Sequence, residues 1–316
     1  MKRLVFGALK GGAFVLIFTL MLGWLQDYHP AFDSLSHFRL HFAVLLSAAS
    51  IFLVLFRKWK LAVVSLATVL ISLWLTIPFL PNFGSNRPDD GTFENRVPAN
   101  FSVVQFNMRY NNNDLDAAIK SLRSVDADVY LLQELTNRNL RVFKELKKTH
   151  PYQLECISYV VGSVALASRH PFVAGGEQNC SRFDGVVSAQ ILVGKTTLTI
   201  ASVHLRWPWP YNQRKQVARL KEPLSRLNKP LILAGDFNAA PWSHVINQIG
   251  KITAAKPMAG MVLSWSHRLI KKTFGIGPTL PIDHIYYKGL IPISRKVLAE
   301  AGSDHYPIHT LFYLGN

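Results

Sequence analysis

Polar side chains follow several apolar stretches of this sequence, at the points where predicted β-strands end. Asn107 follows FSVVQF, Glu134 follows DVYLLQ, His204 follows LTIASV, and Asp236 and Asn238 follow LILAG. Carboxylates and amides supply the hard oxygen ligands that a divalent cation prefers, and an imidazole can accept a proton near neutral pH. Brought together at one sheet edge, these side chains could bind a metal ion and hydrolyse a phosphate ester.

Two further polar segments near the C-terminus extend the pattern, and the whole series resembles a known family. In chain order the motifs are Asn107, Gln133-Glu134, Ser202-Val203-His204, Gly235-Asp236-Phe237-Asn238, Ile282-Asp283-His284 and Ser303-Asp304-His305. This order is similar to that of the endonuclease/exonuclease/phosphatase superfamily, which has the fold of DNase I. The resemblance covers the chain from about residue 101 to the C-terminus. It implies an α/β fold, a four-layer sandwich of two mixed sheets, that cleaves phosphate esters with Mg²⁺ or Mn²⁺.

The resemblance also implies a role for each matched residue. Glu134 and Asn107 correspond to the metal-binding pair, in which the carboxylate ligates the ion and the amide supports it. His305 corresponds to the general base that takes a proton from the attacking water, and Asp283 to the carboxylate that fixes its tautomer. Asp304 corresponds to an aspartate near the metal and the phosphate.

Three more residues complete the predicted site. Asp236 and Asn238 correspond to the pair that positions the nucleophile and binds a nonbridging phosphate oxygen. His204 resembles a histidine that binds the phosphate or assists the leaving group. In DNase-like members that histidine has a glutamate partner, and Gly162 stands at the matching place here, so the resemblance implies that His204 is less activated for protonating the leaving group.

Considered singly, several of these residues have simpler structural interpretations. Asn107 could be a turn residue, the Ser303-Asp304-His305 segment could be a turn capped by its own side chains, and His204 could be a hydrogen-bonded structural histidine. A turn does not explain Asp283 at its family spacing.

The chain around the motifs alternates predicted strands and helices, as is typical of an α/β domain. Strands are predicted over 101–106, 128–133, 163–167, 186–193, 197–203, 231–234 and 307–313, and amphipathic helices over 114–123 and about 212–227. We therefore predict one catalytic domain over residues 101–316.

The first 80 residues contain three apolar blocks, Leu4–Leu25, Leu40–Phe56 and Leu61–Leu80. About 20 helical residues cross a bilayer core, so the blocks predict an anchor of about three transmembrane helices over 1–80. A cleaved signal peptide and a soluble helical bundle are the alternatives. A signal peptide would require a small-residue cleavage site, which the first block lacks. A soluble bundle would require polar stripes at helical spacing, which none of the blocks has.

The charges of the short loops predict how the anchor is oriented. Basic residues flank one side of the membrane, whereas the connection from Gln26 to Phe38 has no Lys or Arg; the basic residues are Lys2, Arg3, Lys10, Arg57, Lys58 and Lys60. Short basic loops stay in the cytoplasm, so we expect a multi-pass protein of the cell (inner) membrane with an extracytoplasmic catalytic domain. Residues 81–100, rich in Pro, Gly, Asn and charge, are the predicted linker.

The charge and composition limit the choice of substrate. The 316 residues are 49% hydrophobic and carry a net charge of +16, which excludes a disordered chain, a collagen and a disulfide-stapled miniprotein. Beyond residue 96 there are 26 basic and 14 acidic residues, a net charge of +12 that attracts phosphates. The loop Trp207–Tyr211 and the segment around Trp265 could stack on bases, lie in lipid headgroups or cover the core.

We therefore predict a membrane-anchored, metal-dependent phosphodiesterase or endonuclease that hydrolyses nucleic acid by in-line attack of activated water. A phospholipid or phosphoinositide phosphoesterase, similar to the sphingomyelinase branch, and a catalytically silent membrane scaffold are the alternatives.

Only two cysteines are present, Cys156 and Cys180; a disulfide and two thiols explain them equally well. The sequence indicates no protein partner.

Overall fold

A computed structural model describes residues 2–80, 98–158 and 160–315, and its N-terminal part is helical. The helices are α1 (Lys2–Trp24), α2 (Pro30–His37), α3 (Arg39–Leu55) and α4 (Trp59–Trp74). The segments Phe6–Trp24 and Trp59–Phe79 are each long and apolar enough to cross a membrane. Helices α2 and α3 pass the same test only as a pair, bent by 65°. Of the three predicted spans, two are therefore supported individually, and the third requires that the bent pair counts as one span.

The stretch between the first two apolar blocks, expected to be a connection, contains the short helix α2. Pro30 begins the helix with a preset φ, and the His29 ring caps it by accepting a hydrogen bond from a first-turn N–H. Asp33 and Ser36 on this helix are buried. This helix could not be predicted from the sequence because its buried face is polar. The hydrogen-bond partners of that face lie more than 200 residues away along the chain.

Helix α2 docks on a helix from the C-terminal part, α8 (His244–Thr253). The Asp33 carboxylate accepts hydrogen bonds from His244 N at 3.1 Å and from Ser243 Oγ at 3.3 Å, at the N-terminus of α8. Trp242 Nε1 donates to Ser36 O at 2.7 Å. A carboxylate at a helix N-terminus is favoured by the helix dipole, so specific polar contacts hold the N-terminal helices against the rest of the chain.

The C-terminal part consists of strands and helices that alternate along the chain. The strands are β1 (Phe101–Asn107), β2 (Val129–Leu135), β3 (Tyr152–Cys156), β4 (Ser163–Ser168), β5 (Gln178–Ser181), β6 (Val186–Val193), β7 (Thr196–His204), β8 (Leu231–Asp236), β9 (Lys256–Pro257), β10 (Asp283–Lys288), β11 (Ile291–Val297) and β12 (Ile308–Tyr313). The remaining helices are α5 (Leu115–Arg123), α6 (Leu140–Leu146), α7 (Gln213–Ser225) and α9 (Arg268–Phe274). The predicted strands and both predicted helices are present, with ends shifted by a few residues at most.

Within the described residues these strands form two six-stranded mixed sheets. One sheet has the order β11-β12-β1-β2-β4-β3 and the other β5-β6-β7-β8-β10-β9. Each sheet has one central parallel pair, β1 with β2 and β7 with β8, and its other pairs are antiparallel. Because the two pairs are central in their sheets, their carboxyl ends meet in the middle of the sandwich edge.

Alternating side chains on the central strands fill three separate cores. Val103 and Leu131 of the first sheet pack against Ile200 and Ile232 of the second, between the sheets. Their chain neighbours point outwards, where Val104 and its neighbours pack on α5 and α6, while α7 and α8 cover the second sheet. Strands buried on both faces have continuous apolar sequences, as observed. The arrangement is the predicted four-layer α/β sandwich.

A disulfide joins Cys156 on β3 to Cys180 on β5, the outermost strands of the two sheets. It therefore fastens one open side of the sandwich. Of the predicted linker, residues 81–97 lie outside the described residues. Asn100 at its end exchanges hydrogen bonds with the Leu314 backbone, which ties the start of β1 to the C-terminus.

Candidate active site

The register of the central strands brings the predicted residues to one place. Asn107 pairs with Gln133 at the carboxyl end of β1, next to Glu134. His204 pairs with Asp236 at the carboxyl end of β7. Asp283, the first residue of antiparallel β10, also lies opposite Asp236. Two sheets thus contribute side chains to a single cleft at the sandwich edge.

Asn107 connects the carboxylates of the two sheets. Its Nδ2 donates to Glu134 Oε1 and to Asp236 Oδ2, both at 3.0 Å, while its Oδ1 accepts from Arg109 N at 2.9 Å. In this arrangement Asn107 presents an amide N–H to the cluster rather than an oxygen. His204 Nε2 lies 3.8 Å from Glu134 Oε1 and 3.6 Å from Asp236 Oδ2, so the imidazole faces the same carboxylates.

His305 and Asp283 form the second half of the cleft. His305 Nδ1 is 2.8 Å from Asp283 Oδ2, and His305 Nε2 points to Asp236 Oδ2 at 3.6 Å. Gln105 Nε2 donates to Asp283 Oδ1 at 2.8 Å, and Ser264 Oγ donates to Asp283 Oδ2 at 2.6 Å. The aspartate is therefore fixed from two sides and fixes the imidazole in turn, with the other ring nitrogen directed at the cluster.

Asn238 and Asp304 lie at the edge of this arrangement. Asn238 N donates to Asp236 Oδ1 at 2.8 Å and its Nδ2 donates to Leu205 O at 2.8 Å. Its Oδ1 is buried without a hydrogen-bond partner among residues 2–80, 98–158 and 160–315. Asp304 is partly exposed, with Oδ1 3.8 Å from Arg109 Nε. All eight predicted site residues thus lie in or beside the cleft.

Burial and mutual charge shift the pKa values of the central groups. Burial raises the pKa of Asp236 to about 8, and Asp283 adds to the rise while His305 opposes it. Burial acts to lower the pKa of His305, but Asp283 and Asp236 outweigh it and raise that pKa to about 10. Burial acts to raise the pKa of Asp283, and the contacts with His305 reverse the direction. Burial lowers the pKa of His204.

The donor set fits a divalent cation. Two groups offer ligand atoms within 4.8 Å of one another: Glu134, His204 and Asp236, and Asp236, Asp283 and His305. Burial is the main cause of the raised pKa of Asp236 and Asp283 adds to it, so a positive charge beside these carboxylates would be favourable. The free Oδ1 of Asn238 beside them is a further acceptor with no partner among the described residues. Carboxylate oxygens at this density suit Mg²⁺ or Mn²⁺.

Gly162 lies against the backbone of Glu134 and leaves no room for a side chain. Glu134 has a φ of +58° where the pairing of β2 with β4 is irregular. A Cβ at Gly162, whose φ is +62°, would lie 2.9 Å from Glu134 C and 2.9 Å from Leu135 O. No glutamate partner for His204 could occupy this position without moving Glu134. His204 Nδ1 also lacks a hydrogen-bonding side chain in the described part of the chain.

We expect Gly162→Ala to destabilise the fold and to displace Glu134. An L-residue at left-handed φ costs about 1–2 kcal/mol, and the overlap with the Glu134 backbone adds to it. Gly175→Ala is the matched control, because its φ is +69° and nothing lies within 4 Å of its Cβ. Thermal unfolding should show a larger loss for Gly162→Ala. Equal losses would mean that the contact with Glu134 is unimportant.

Some supporting residues were not predicted. Gln105 is a buried amide inside the apolar strand FSVVQF, and this exception was the available signal. Ser264 and Arg109 lie in loops whose sequences give no such indication. The Ser264 and Arg109 side chains reach the site through tertiary contacts with Asp283 and Asp304.

Two mixed sheets in an α/β sandwich, with acidic residues and imidazoles at the carboxyl ends of the central strands, define a DNase I-like protein. Within that class the chain belongs to the Endonuclease/Exonuclease/phosphatase family, whose model matches residues 104–305. Members of this family are metal-dependent hydrolases of phosphoesters. The predicted family and fold are confirmed.

Sequence relatives match only part of the chain. A UPF0294 protein of Yersinia pestis is 34% identical over 95 residues, which cover 30% of this chain and 34% of that protein. A UPF0294 protein of Vibrio vulnificus is 28% identical over 160 residues, 48% of this chain and 54% of that protein. The chain thus spans about a third to a half of the length of these curated relatives.

Solved structures share the sandwich at low identity. An endonuclease/exonuclease/phosphatase from Bacteroides vulgatus has a TM-score of 0.56 at 14% identity, covering 68% of this chain and 99% of that chain. Beta toxin from Staphylococcus aureus with bound magnesium ions has a TM-score of 0.52 at 17% identity, and the match covers 68% of this chain and 99% of that chain. TDP2 from D. rerio complexed with a single-strand DNA product has a TM-score of 0.53 at 17% identity, and the match covers 67% of this chain and 98% of that chain. At these identities the likeness shows the fold alone.

Proposed function

We propose that this chain is a membrane-anchored, metal-dependent hydrolase of phosphate esters, with residues 1–80 as the anchor and 101–316 as the catalytic domain. One observation carries the proposal: Glu134, His204 and Asp236 meet the Asp283–His305 pair in one cleft. Family membership and the magnesium bound by the S. aureus beta toxin support a divalent cation in that cleft.

In the proposed reaction each residue acts through the atom that faces the cluster. His305 Nε2 accepts the proton of the attacking water, while Asp283 holds Nδ1 and stabilises the imidazolium that forms. Glu134 and Asp236 would hold the cation, and Asn107 keeps their carboxylates in place by donating to both. When bound, a divalent cation would polarise the phosphoryl oxygen, and its positive charge would favour the neutral imidazole of His305.

We also propose that the catalytic domain lies outside the cytoplasm. The basic turn Arg57–Lys60 favours a cytoplasmic location for the loop between α3 and α4. The Cys156–Cys180 disulfide supports the same orientation, because such bonds persist in oxidising compartments.

For the substrate we propose a nucleic-acid phosphodiester. The region beyond residue 96 has a net charge of +12, and Tyr110, next to Glu134, is exposed together with Trp207, Trp209 and Tyr211 on the loop that follows His204. Cations neutralise a phosphate backbone, and exposed aromatic rings stack on bases. The single-strand DNA product bound by D. rerio TDP2 is in line with this choice.

A phospholipid phosphoester is the second candidate, favoured by the contact between the cleft loop and the anchor. Ser34 Oγ of α2 donates to Trp209 O at 3.3 Å, and Arg214 at the start of α7 donates to the Asp27 carbonyl at 3.2 Å. Because these contacts join the segment after His204 to the N-terminal part, an anchor in the bilayer would bring that segment near the headgroups.

The two substrates make different demands on an assay. The full chain in lipid nanodiscs with Mg²⁺ is offered single-stranded and plasmid DNA, and in parallel vesicles of sphingomyelin or phosphoinositide. We expect DNA cleavage that weakens by orders of magnitude between about 50 and 200 mM salt, as counterion release requires. Lipid turnover without DNA cleavage would favour the second candidate, and no hydrolysis with Mg²⁺ or Mn²⁺ would contradict the proposed activity.

A further inference from the structure

A cavity of about 560 Å³ lies between α3 and the segment 261–281 of the sandwich. Its walls are largely apolar: Leu40, Val44 and Leu45 come from α3, and Leu263, Ile276 and Leu280 come from the segment. The volume is within the range of about 300–1,000 Å³ that ligand sites occupy. None of the eight predicted site residues lines the cavity, so it is distinct from the catalytic cleft.

One wall of the cavity contains a buried imidazole that makes no hydrogen bond within the described residues. His37, the last residue of α2, is 4% exposed, and neither ring nitrogen has a hydrogen-bond partner in the described ranges. The Ser34 carbonyl one turn earlier is close to the ring but does not meet hydrogen-bond geometry. Leaving a buried polar group unpaired costs about 1–3 kcal/mol. A ligand with an acceptor or donor at this end of the cavity would remove that cost.

The rest of the cavity opens towards the surface that the bilayer would cover. Val44 and Leu45 are 69% and 55% exposed on α3, the longer helix of the bent apolar pair. Across the cavity the segment 261–281 is amphipathic, with exposed Leu263, Leu269 and Phe274 near the exposed Lys272. Apolar side chains interleaved with lysine are typical of a segment at the boundary between headgroups and acyl chains.

We propose that this cavity binds one phospholipid of the surrounding bilayer. An acyl chain lies along Val44 and Leu45, and a polar group of the lipid, an ester or phosphate oxygen, bonds to His37. A lipid is the occupant because the opening continues the lipid-facing surface of α3, and because the site joins an apolar groove to a single buried polar group. The inference rests on the anchoring part of the proposed function and is independent of hydrolysis.

The test uses the full chain in nanodiscs that contain a phospholipid with a photoreactive diazirine in its acyl chain. After illumination, adducts are mapped by mass spectrometry of the digested protein. We expect adducts on the segment 261–281 and around Val44. Leu263→Trp fills the cavity and should remove most adducts from Ile276 and its neighbours. Val63→Trp is the matched control, since Val63 is exposed on α4 and does not line the cavity.

Adducts on α4 serve as the internal standard in every sample. If α4 is labelled but the segment 261–281 is not, or if Leu263→Trp leaves its labelling unchanged, the lipid site is wrong. If α4 itself is unlabelled, the proposed anchoring fails and the lipid site with it. Ile276→Trp fills the cavity from the same wall and provides a second variant if Leu263→Trp does not assemble.

Discussion

We expect that replacing His305 by alanine lowers kcat by about 10²–10⁴-fold and leaves KM nearly unchanged, as for loss of a general base. The structure gives the reason. His305 Nε2 faces Asp236 Oδ2 at 3.6 Å, and Asp283 holds the opposite ring nitrogen at 2.8 Å. Of this pair, only the imidazole is placed to take a proton from water, and alanine removes it. We expect the imidazole to contribute little to substrate binding, which is why KM should not change. The measurement is steady-state kinetics of the full chain in nanodiscs on the substrate identified above.

A second histidine–aspartate pair provides the matched control for this variant. His170 Nε2 is 3.0 Å from Asp128 Oδ1, and the His170 ring packs against Phe101 at the opposite end of β1 from the cleft. His170→Ala should keep the wild-type kcat. If His305→Ala also keeps it, with thermal unfolding like that of the wild type, the assignment of the general base is wrong.

The sequence predicts which side chains meet in this cleft because backbone geometry determines most of their positions. Apolar runs such as FSVVQF and LILAG are long enough for central strands and too short for membrane spans. The polar residue at the carboxyl end of each central strand must then lie at the sheet edge. Parallel pairing of β1 with β2 and of β7 with β8 brings Asn107, Glu134, His204 and Asp236 to the same edge.

Contacts between distant segments could not be predicted in the same way. Asp33 in α2 bonds to the N-terminus of α8, 210 residues later, and nothing local distinguishes it from a loop aspartate. Ser264 reaches Asp283 from an irregular segment without a periodic pattern. The sequence motifs therefore predict which side chains meet at the cleft, whereas the groups that orient them depend on tertiary packing.

We expect Glu134→Gln to lower the affinity for Mg²⁺ and the rate of hydrolysis together. Glu134 Oε2 accepts a hydrogen bond from Tyr110 N at 2.7 Å, and Oε1 accepts one from Asn107 Nδ2 at 3.0 Å. These bonds fix the carboxylate with its charge directed at the cluster. Glutamine has nearly the same shape but no charge, and its single acceptor oxygen can keep only one of these two bonds, so thermal unfolding of the variant is measured alongside. Loss of an outer-shell partner costs about 10–100-fold in metal affinity, and loss of a ligand should cost at least as much. Isothermal titration with Mg²⁺ and Mn²⁺ measures the change, with the exposed Glu155→Gln on β3 as control.

Raising the Mg²⁺ concentration separates a lost ligand from a lost base. If Glu134 binds the cation, excess Mg²⁺ fills the weakened site and restores part of the activity of Glu134→Gln. The same excess leaves His305→Ala inactive, because a filled site does not replace the proton acceptor. Rescue of both variants, or of neither, would contradict this division of roles between the glutamate on the first sheet and the histidine that precedes β12.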